Sequence, residues 1–191
     1  MESLFAHIEK VVALNEEERD LISKHFNPRK YLKGQFIVQQ GDVCRFENFV
    51  VKGCLKTFHI SASGQEHVVM FAIENWWTSD LGSFLMQTPA AYNVQCLEPT
   101  EVLQISLEAL NRLYQEVPKM DRFFRIIIQN AYVASDQRII QNFSIPAKER
   151  YLAFRRRYPE IEQRVPQYLI ASYLGITKEF LSKIRNQLIY E

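Results

Sequence analysis

The sequence predicts an α+β fold with an N-terminal antiparallel β-roll of the jelly-roll kind, flanking helices, a long helix and a C-terminal helix-turn-helix. Three observations predict it. Short strand-like runs recur between residues 29 and 106, a long helical period follows Pro118, and two short helical patterns flank Gly175. We therefore divide the chain into residues 1–117, 118–143 and 144–191.

The first 106 residues predict one helix followed by a set of short strands. Asn15 is a good N-cap and acidic residues follow it, so a helix is expected from about residue 16 to residue 26. Turn residues such as Gly41-Asp42 and Ser61-Ala-Ser-Gly64 then separate six strand-like runs. These runs are residues 36–39, 46–51, 54–60, 67–71, 92–96 and 102–106. Many short strands at regular spacing are typical of an antiparallel barrel or jelly roll.

Pro118 lies near the start of a long helix that is expected to reach residue 142 or 143. A second apolar face of this helix carries Phe123, Ile126, Val133 and Ile140. Because a helix with two apolar faces usually has two neighbours, we expect one face on the barrel and the other on the same helix of a second subunit. Burial of both faces within a monomer is the alternative. The heptad-spaced residues expected at the dimer interface are Met120, Phe124, Ile127, Ala131 and Ala134.

The last part of the chain predicts a basic helix over residues 146–158 and then a helix-turn-helix. Gly175 fits the left-handed residue that ends a helix, and Thr177 fits the N-cap of the next. The apolar sides of the two helices are Leu169, Ile170, Ala171 and Leu174, then Phe180, Leu181, Ile184 and Leu188. In this layout the second helix enters the DNA major groove, whereas an ordinary helical hairpin is the alternative. A winged-helix-like domain with a truncated wing is expected, because few residues follow the second helix.

The composition is ordinary for a soluble globular protein, with 191 residues, 47% hydrophobic and 24% charged. No apolar run approaches the roughly 20 residues that span a bilayer, and the N-terminus lacks the features of a signal peptide, so a cytoplasmic protein is expected. Residues 1–117 hold 10 Lys or Arg and 15 Asp or Glu, whereas residues 118–191 hold 13 and 7. A basic C-terminal third suits phosphate contact at one end, although solvated helix faces give the same imbalance.

The cysteines and histidines predict no metal, no cofactor and no enzyme. Cys44, Cys54 and Cys96 are odd in number and far apart, which fits reduced, partly buried thiols, and an iron–sulfur cluster would need four ligands. His59 and His67 would lie on neighbouring strands, as in a cupin-type metalloenzyme. The compact His-X-His and following Glu of a cupin are absent. A small metalloenzyme is the alternative, and metal analysis of the purified protein tests it.

Three sequence segments and the helix-turn-helix carry a family resemblance. The segments are Gly34-Gln-Phe-Ile-Val-Gln-Gln-Gly-Asp42, Phe49-Val-Val-Lys-Gly53 with Leu55 and Lys56, and Trp76-Trp-Thr-Ser-Asp-Leu-Gly-Ser-Phe84. With the helix-turn-helix they resemble the Crp/Fnr superfamily of bacterial transcription regulators over nearly the whole chain, in a form similar to that of Bacteroidetes. Membership implies a homodimer that binds a palindromic DNA operator near promoters, contacts RNA polymerase and couples an event in the β-roll to DNA affinity.

The resemblance also implies which residues meet DNA. They are Tyr168, Thr177, Lys178, Glu179, Ser182, Lys183 and Arg185. Lys178 and Lys183 can donate to guanine and Glu179 can accept from cytosine, whereas Arg185 is expected at a phosphate. A solvated side chain is the alternative for each charge. The run Arg155-Arg-Arg157 is expected to be solvated or paired with Glu160 and Glu162, because three consecutive residues point around more than a quarter of a helix.

The segment at residues 76–84 aligns with the phosphate-binding cassette of the family. The effector-pocket residues that this alignment implies are Trp77, Asp80, Leu81, Gly82, Ala90 and Ala91. Relatives that bind cyclic AMP carry Gly-Glu-Leu and then Arg-Ser, but this chain has Ser79-Asp80-Leu81 and Ala90-Ala91 there. We therefore expect no binding of cyclic AMP in the usual manner, and either a less anionic ligand or none. A cyclic-nucleotide-type module that regulates a partner protein without DNA binding is the second hypothesis.

Overall fold

The computed structural model describes residues 1–189, and within that range the chain forms eight strands and nine helices. The strands are β1 Asn27–Tyr31, β2 Phe36–Val38, β3 Phe46–Lys52, β4 Leu55–Ile60, β5 Glu66–Ala72, β6 Trp77–Thr78, β7 Asn93–Cys96 and β8 Thr100–Ser106. The helices are α1 Glu2–Ile8, α2 Glu16–His25, α3 Leu81–Met86, α4 Leu107–Glu116, α5 Lys119–Ser144, α6 Ala147–Arg157, α7 Pro159–Arg164, α8 Gln167–Tyr173 and α9 Lys178–Ile189.

The strands pair antiparallel in two four-stranded sheets, in the orders β1-β8-β3-β6 and β2-β7-β4-β5. The predicted β-roll is confirmed, and each of the six expected runs is a strand whose ends differ by at most two residues. Sequence reasoning misses β1 and β6. Strand β1 is an edge strand with four exposed residues in succession, so it lacks the alternation that marks a half-buried strand, and β6 has only two residues.

Gly53 lies in the turn between β3 and β4, where the backbone passes close to Thr100 of β8. Its φ is +118°, and a Cβ at this position would lie 2.5 Å from the Thr100 Oγ1 and 2.8 Å from the Thr100 Cα. Only glycine meets both demands without displacing Thr100. The Gly53 amide donates a hydrogen bond to the Glu74 Oε1 at 2.8 Å, which fixes the end of the segment after β5.

One face of the β1-β8-β3-β6 sheet packs against α1, α4 and α5 around an aromatic cluster. The ring of Trp77 lies 5.3 Å from that of Phe49, 5.0 Å from that of Phe124 and 6.2 Å from that of Phe123. Phe49, Phe123 and Phe124 are buried. These tilted and edge-to-face contacts are the arrangements that aromatic rings prefer. The long helix therefore begins as part of the core of its own β-roll.

Helix α5 confirms the expected long helix, but the structure corrects the faces assigned to it. Met120 and Phe124 are 0% and 4% exposed in the core of their own chain, so they do not reach a surface that a second subunit could meet. Ile127 packs partly against the same core. Ala134 is half-buried and Ala131 is exposed. The first residues of the heptad series therefore pack against the chain's own β-roll.

A different apolar stripe of α5 faces outward. Ile128, Tyr132, Ile139 and Phe143 are 39%, 73%, 52% and 88% exposed. Their spacing of four, seven and four residues places them on one side of the helix. None of the helices within residues 1–189 combines the length and apolar character needed to cross a bilayer.

The C-terminal helices form a second core that is shared with the β-roll. The predicted basic helix is confirmed as α6, whereas α7 was not expected. Apolar residues of α6 to α9 pack with Cys54, Phe58, Val68 and Phe71 of the β4–β5 region. Between Leu107 and Ile189 the described chain contains no further strand, so it shows no wing hairpin there.

Candidate nucleic-acid interface

The turn between α8 and α9 is built as the sequence predicts. Gly175 has φ +67°, and its amide donates to the Ser172 carbonyl at 3.1 Å, which closes α8. The Thr177 hydroxyl accepts a hydrogen bond from the Phe180 amide at 3.2 Å and so caps α9. The two helices therefore have a fixed mutual orientation, as a helix-turn-helix requires.

The inner sides of α8 and α9 are buried, which holds their outer sides in place. The buried residues are Leu169, Ile170, Ala171, Leu174, Leu181 and Ile184. They pack in one cluster with Tyr151 and Phe154 of α6. Each buried Leu or Ile contributes roughly 1.5–3 kcal/mol. Phe180 was expected on this apolar side, but it is 47% exposed.

All seven expected DNA-contact residues lie on the surface. Thr177, Lys178, Glu179, Ser182, Lys183 and Arg185 are exposed, and so is Tyr168, by 54%. Within residues 1–189, Lys178, Lys183 and Arg185 form no ion pair. Three cations on one short helix, without an ion pair in the described part of the chain, suit an anionic partner.

Sequence reasoning misses an arginine that supports the turn. Arg150 of α6 donates through its Nη2 to the Leu174 carbonyl at 2.9 Å and through its Nη1 to the Ile145 carbonyl at 2.9 Å. Arg150 thus connects the end of α8 to the residue that follows α5. The contact could not be predicted from the sequence, because the spacing of charges along one helix does not identify their partners on another helix.

A groove of about 500 Å³ separates α9 from α6 and α7. Lys178, Ser182 and Arg185 line its α9 side, and their spacing of four and three residues places them on one face. Arg155 of α6 lines the opposite side. Glu179 and Lys183 are not among its lining residues, so the outer surface of α9 has two adjoining parts.

A charged cluster joins the C-terminal helices to the β-roll. Arg164 of α7 donates to Glu74 at 2.7 and 3.0 Å and to Glu98 at 2.5 Å. Burial would raise the pKa of Glu74, but the hydrogen bonds from Arg164 and from the Gly53 amide lower it to about 2. The same carboxylates raise the pKa of Arg164. Glu74 and Arg164 therefore stay charged at all ordinary pH values.

In the segment aligned with the phosphate-binding cassette, the carboxylate of Asp80 accepts hydrogen bonds from three backbone amides. Its Oδ1 accepts from the Ser83 amide at 2.9 Å, and its Oδ2 accepts from the Ala91 amide at 2.7 Å and the Tyr92 amide at 3.0 Å. Asp80 is 5% exposed. These three amides are thus hydrogen-bonded to a side chain of the protein itself.

The other expected effector-pocket residues lie in different surroundings. Trp77 belongs to the aromatic cluster around Phe49 and Phe124, and Ala90 is buried. Leu81, Gly82 and Ala91 are exposed. The structure therefore corrects the placement of Trp77, because its ring is packed against the core and not toward a ligand space.

The three cysteine thiols lie in the interior of the fold. Cys44, Cys54 and Cys96 are buried and unpaired. Burial raises the pKa of Cys44 to about 11 and that of Cys54 to about 12, so both are protonated and weakly nucleophilic. Within the part of the chain that the structure describes, no group of three or more His, Cys, Asp or Glu could hold a metal ion.

Comparison with known proteins bears on the same regions. Residues 28–117 match the family described as the cyclic nucleotide-binding domain. The chain is 26% identical over 187 residues to an anaerobic regulatory protein of Pasteurella multocida, which covers 92% of this chain and 68% of that protein. It is 26% identical over 188 residues to the transcriptional activator protein Anr of Pseudomonas protegens, covering 91% and 75%.

Two solved structures share the fold. The c-di-GMP responsive global regulator CLP of Xanthomonas campestris superposes with a TM-score of 0.75 at 14% identity, over 92% of each chain. FixK2 of Bradyrhizobium japonicum gives a TM-score of 0.74 at 14% identity, over 86% of this chain and 85% of that one. Residues 28–117 are thus similar to the cyclic nucleotide-binding domain, and the two solved structures share the fold of this chain.

Proposed function

We propose that the protein is a Crp/Fnr-like transcription regulator that binds a palindromic DNA operator in the cytoplasm as a homodimer. The observation that carries this proposal is the outer side of α9, where Lys178, Lys183 and Arg185 are exposed above a buried apolar side and form no ion pair with the residues that the structure describes. The regulatory relatives support the same function. A helix of this kind presents side chains to base edges in the major groove.

In this proposal the residues of α9 divide their tasks. Lys178, Lys183 and Glu179 meet base edges, because lysine donates to guanine and a carboxylate accepts from cytosine. Thr177, Ser182 and Tyr168 contact the backbone or flanking bases. Arg185 contacts a phosphate and so positions the protein without reading sequence.

The proposed homodimer forms through the outward stripe of α5. Ile128, Tyr132, Ile139 and Phe143 expose large apolar side chains along one side of the helix, and such a stripe is typical of an interaction surface. The same helix of a second copy offers a matching stripe, since an interface with two-fold symmetry pairs a surface with itself. Residues 1–117 then act as the sensor, 118–143 as the dimerisation helix, and 144–191 as the DNA-binding domain.

The proposed regulator does not respond to cyclic AMP in the usual manner. A cyclic phosphate would have to displace the Asp80 carboxylate from the amides of Ser83, Ala91 and Tyr92. The sequence also offers no cation there, because Lys56 and Arg112 are the nearest Lys or Arg on either side. Burying a phosphate anion without a cation is costly.

Two finer assignments follow from the same resemblance. The paired tryptophans Trp76 and Trp77 before Ser79-Asp80-Leu81 support a place among Bacteroidetes-type members of the superfamily. A promoter-bound regulator of this kind would also contact RNA polymerase.

The test is a mobility-shift experiment with a pool of promoter fragments from the source genome. The proposal expects retarded fragments that share a symmetric sequence. A regulatory module that acts on a partner protein would retard none of them, and that result would replace the proposal with the second hypothesis.

A further inference from the structure

The groove between α9 and α6–α7 has the charge of an anion site. Arg155, Lys178 and Arg185 line it from two different helices, and among the lining residues within 1–189 Glu162 is the one acidic residue. Cations from separate elements that point into one groove concentrate positive potential there. The expected pairing of Arg155 with Glu162 is present at 3.7 Å, a long separation for an ion pair.

Arg155 is held in position by its neighbours and keeps donors free. The Glu162 Oε1 accepts a hydrogen bond from the Tyr151 hydroxyl at 2.8 Å and also faces the Arg155 Nε. The guanidinium of Arg155 lies over the ring of Tyr151, 5.6 Å from its centroid. These contacts use the Nε side and one face of the guanidinium. Its two terminal nitrogens form no hydrogen bond within residues 1–189.

Gln167 adds an unfilled polar position in the same groove. Its Oε1 is buried and has no hydrogen-bond partner among the described residues. The Nε2 of the same amide is the more accessible atom, and it is the donor that Gln167 offers to an anion in the groove. A groove with net positive charge, free guanidinium donors and an unsatisfied amide fits an oxygen anion.

We propose that this groove seats a backbone phosphate of the DNA, with Arg155 as a phosphate contact beside Arg185. The inference rests on the proposed function and extends it to α6, outside the helix-turn-helix. Lys178, Ser182 and Arg185 belong to both surfaces, so a phosphate in the groove lies next to the bases that α9 reads. Arg156 and Arg157 do not line the groove.

The experiment measures the salt dependence of DNA binding for Arg155→Gln, with Arg156→Gln as the matched control on the same helix. Each phosphate contact contributes about 0.9 to the slope of log K against log salt. We expect Arg155→Gln to lower that slope by about 0.9 on selected and scrambled duplexes alike, and Arg156→Gln to leave it unchanged. Arg155→Lys keeps the charge and should restore most of the slope.

Thermal unfolding of each variant separates loss of contact from loss of fold. If wild-type protein binds DNA and Arg155→Gln has the slope of Arg156→Gln while both remain folded, the groove is not a phosphate site, although the proposed function stands. If wild-type protein binds no duplex, the groove proposal falls together with the proposed function. If Arg155→Gln unfolds, the comparison rests on Arg155→Lys and Gln167→Leu. Gln167→Leu should then weaken binding to all sequences by a similar factor, and unchanged binding by Gln167→Leu would overturn the proposal.

Discussion

The hydroxyl of Ser172 in α8 bonds to Val68 in β5. It accepts a hydrogen bond from the Val68 amide at 3.0 Å and donates one to the Glu66 carbonyl at 3.1 Å. Strand β5 is an edge of its sheet, so these backbone groups would otherwise need water as a partner. Arg138 of α5 also donates to the Val69 carbonyl. These hydrogen bonds join β5 to α8 and to α5, and the turn at Gly175 joins α8 to α9.

The dimer interface is tested by placing a charge on the outward stripe of α5. Ile139→Asp should raise the dimer dissociation constant by at least about 100-fold, because burying an unpaired carboxylate in an apolar contact costs several kcal/mol. Light scattering across a concentration series measures it. Ile60→Asp, on a similarly exposed isoleucine of β4, should leave the dimer intact. A dimeric Ile139→Asp variant would show that this stripe does not join two subunits.

Base and phosphate contacts on α9 should respond differently to mutation. Lys183→Ala should cost about 1–3 kcal/mol at its cognate base and should relax the preference there. Arg185→Ala should weaken binding to all sequences by a similar factor, because a phosphate carries no sequence information. Anisotropy titrations with the selected operator and single-base variants measure both effects. If Lys183→Ala lowered the affinity for every duplex equally, Lys183 would be a phosphate contact and not a base contact.

Asp80 is expected to exclude anions from the three amides that it occupies. Asp80→Ala should lower the free energy of unfolding by on the order of 3 kcal/mol, because it removes an N-cap and leaves buried amides unpaired. Acetate should recover part of that stability in the variant only. Asp42→Ala, whose carboxylate is exposed nearby, is the control. Calorimetry of wild-type protein should show no binding of cyclic AMP or cyclic GMP, and micromolar affinity for either would contradict this account.

The buried carboxyl of Glu47 should make stability depend on pH. Burial raises its pKa to about 7, although hydrogen bonds from the Ser79 hydroxyl and the Asn48 amide lower it in part. The folded state then keeps the proton up to about pH 7, whereas the unfolded chain releases it near its ordinary value of 4.5. The free energy of unfolding therefore falls as pH rises between these values and is level above pH 7.

Glu47→Gln removes this titration. The variant should be more stable than wild-type protein above pH 7, by up to roughly 3 kcal/mol, and similar to it at pH 4.5. Urea unfolding at pH 5 and pH 8 measures the difference. Glu108→Gln, on an exposed residue of α4, should keep the wild-type dependence. Equal pH dependence in Glu47→Gln and wild-type protein would place the titrating group elsewhere.

The parts of the fold with a clear period were predictable from the sequence. The long helix has an apolar period of three and four residues, and turn residues separate the six strand-like runs from one another. Helices α1, α3 and α7 have seven residues or fewer, so their apolar pattern alone does not mark them, whereas the equally short α8 is marked by the glycine that follows it. The turn at Gly175 was predictable because a left-handed residue there favours glycine.

Contacts between elements were not predictable. The heptad spacing of Met120 and Phe124 is the same whether the helix packs on its own β-roll or on a second copy, so the sequence could not choose between them. The role of Asp80 depends on amides eleven and twelve residues further along the chain. The groove beside Arg155 depends on helices brought together only by folding.

The most direct test of the central claim is the affinity of wild-type protein for an operator selected from random DNA, compared with a scrambled duplex of the same composition. The account predicts a symmetric site whose half-sites lie roughly 10 to 11 base pairs apart, centre to centre, as expected for a two-fold helix-turn-helix dimer. It also predicts at least about 1,000-fold tighter binding to that site than to the scrambled duplex. Equal affinity for the two duplexes would contradict the account.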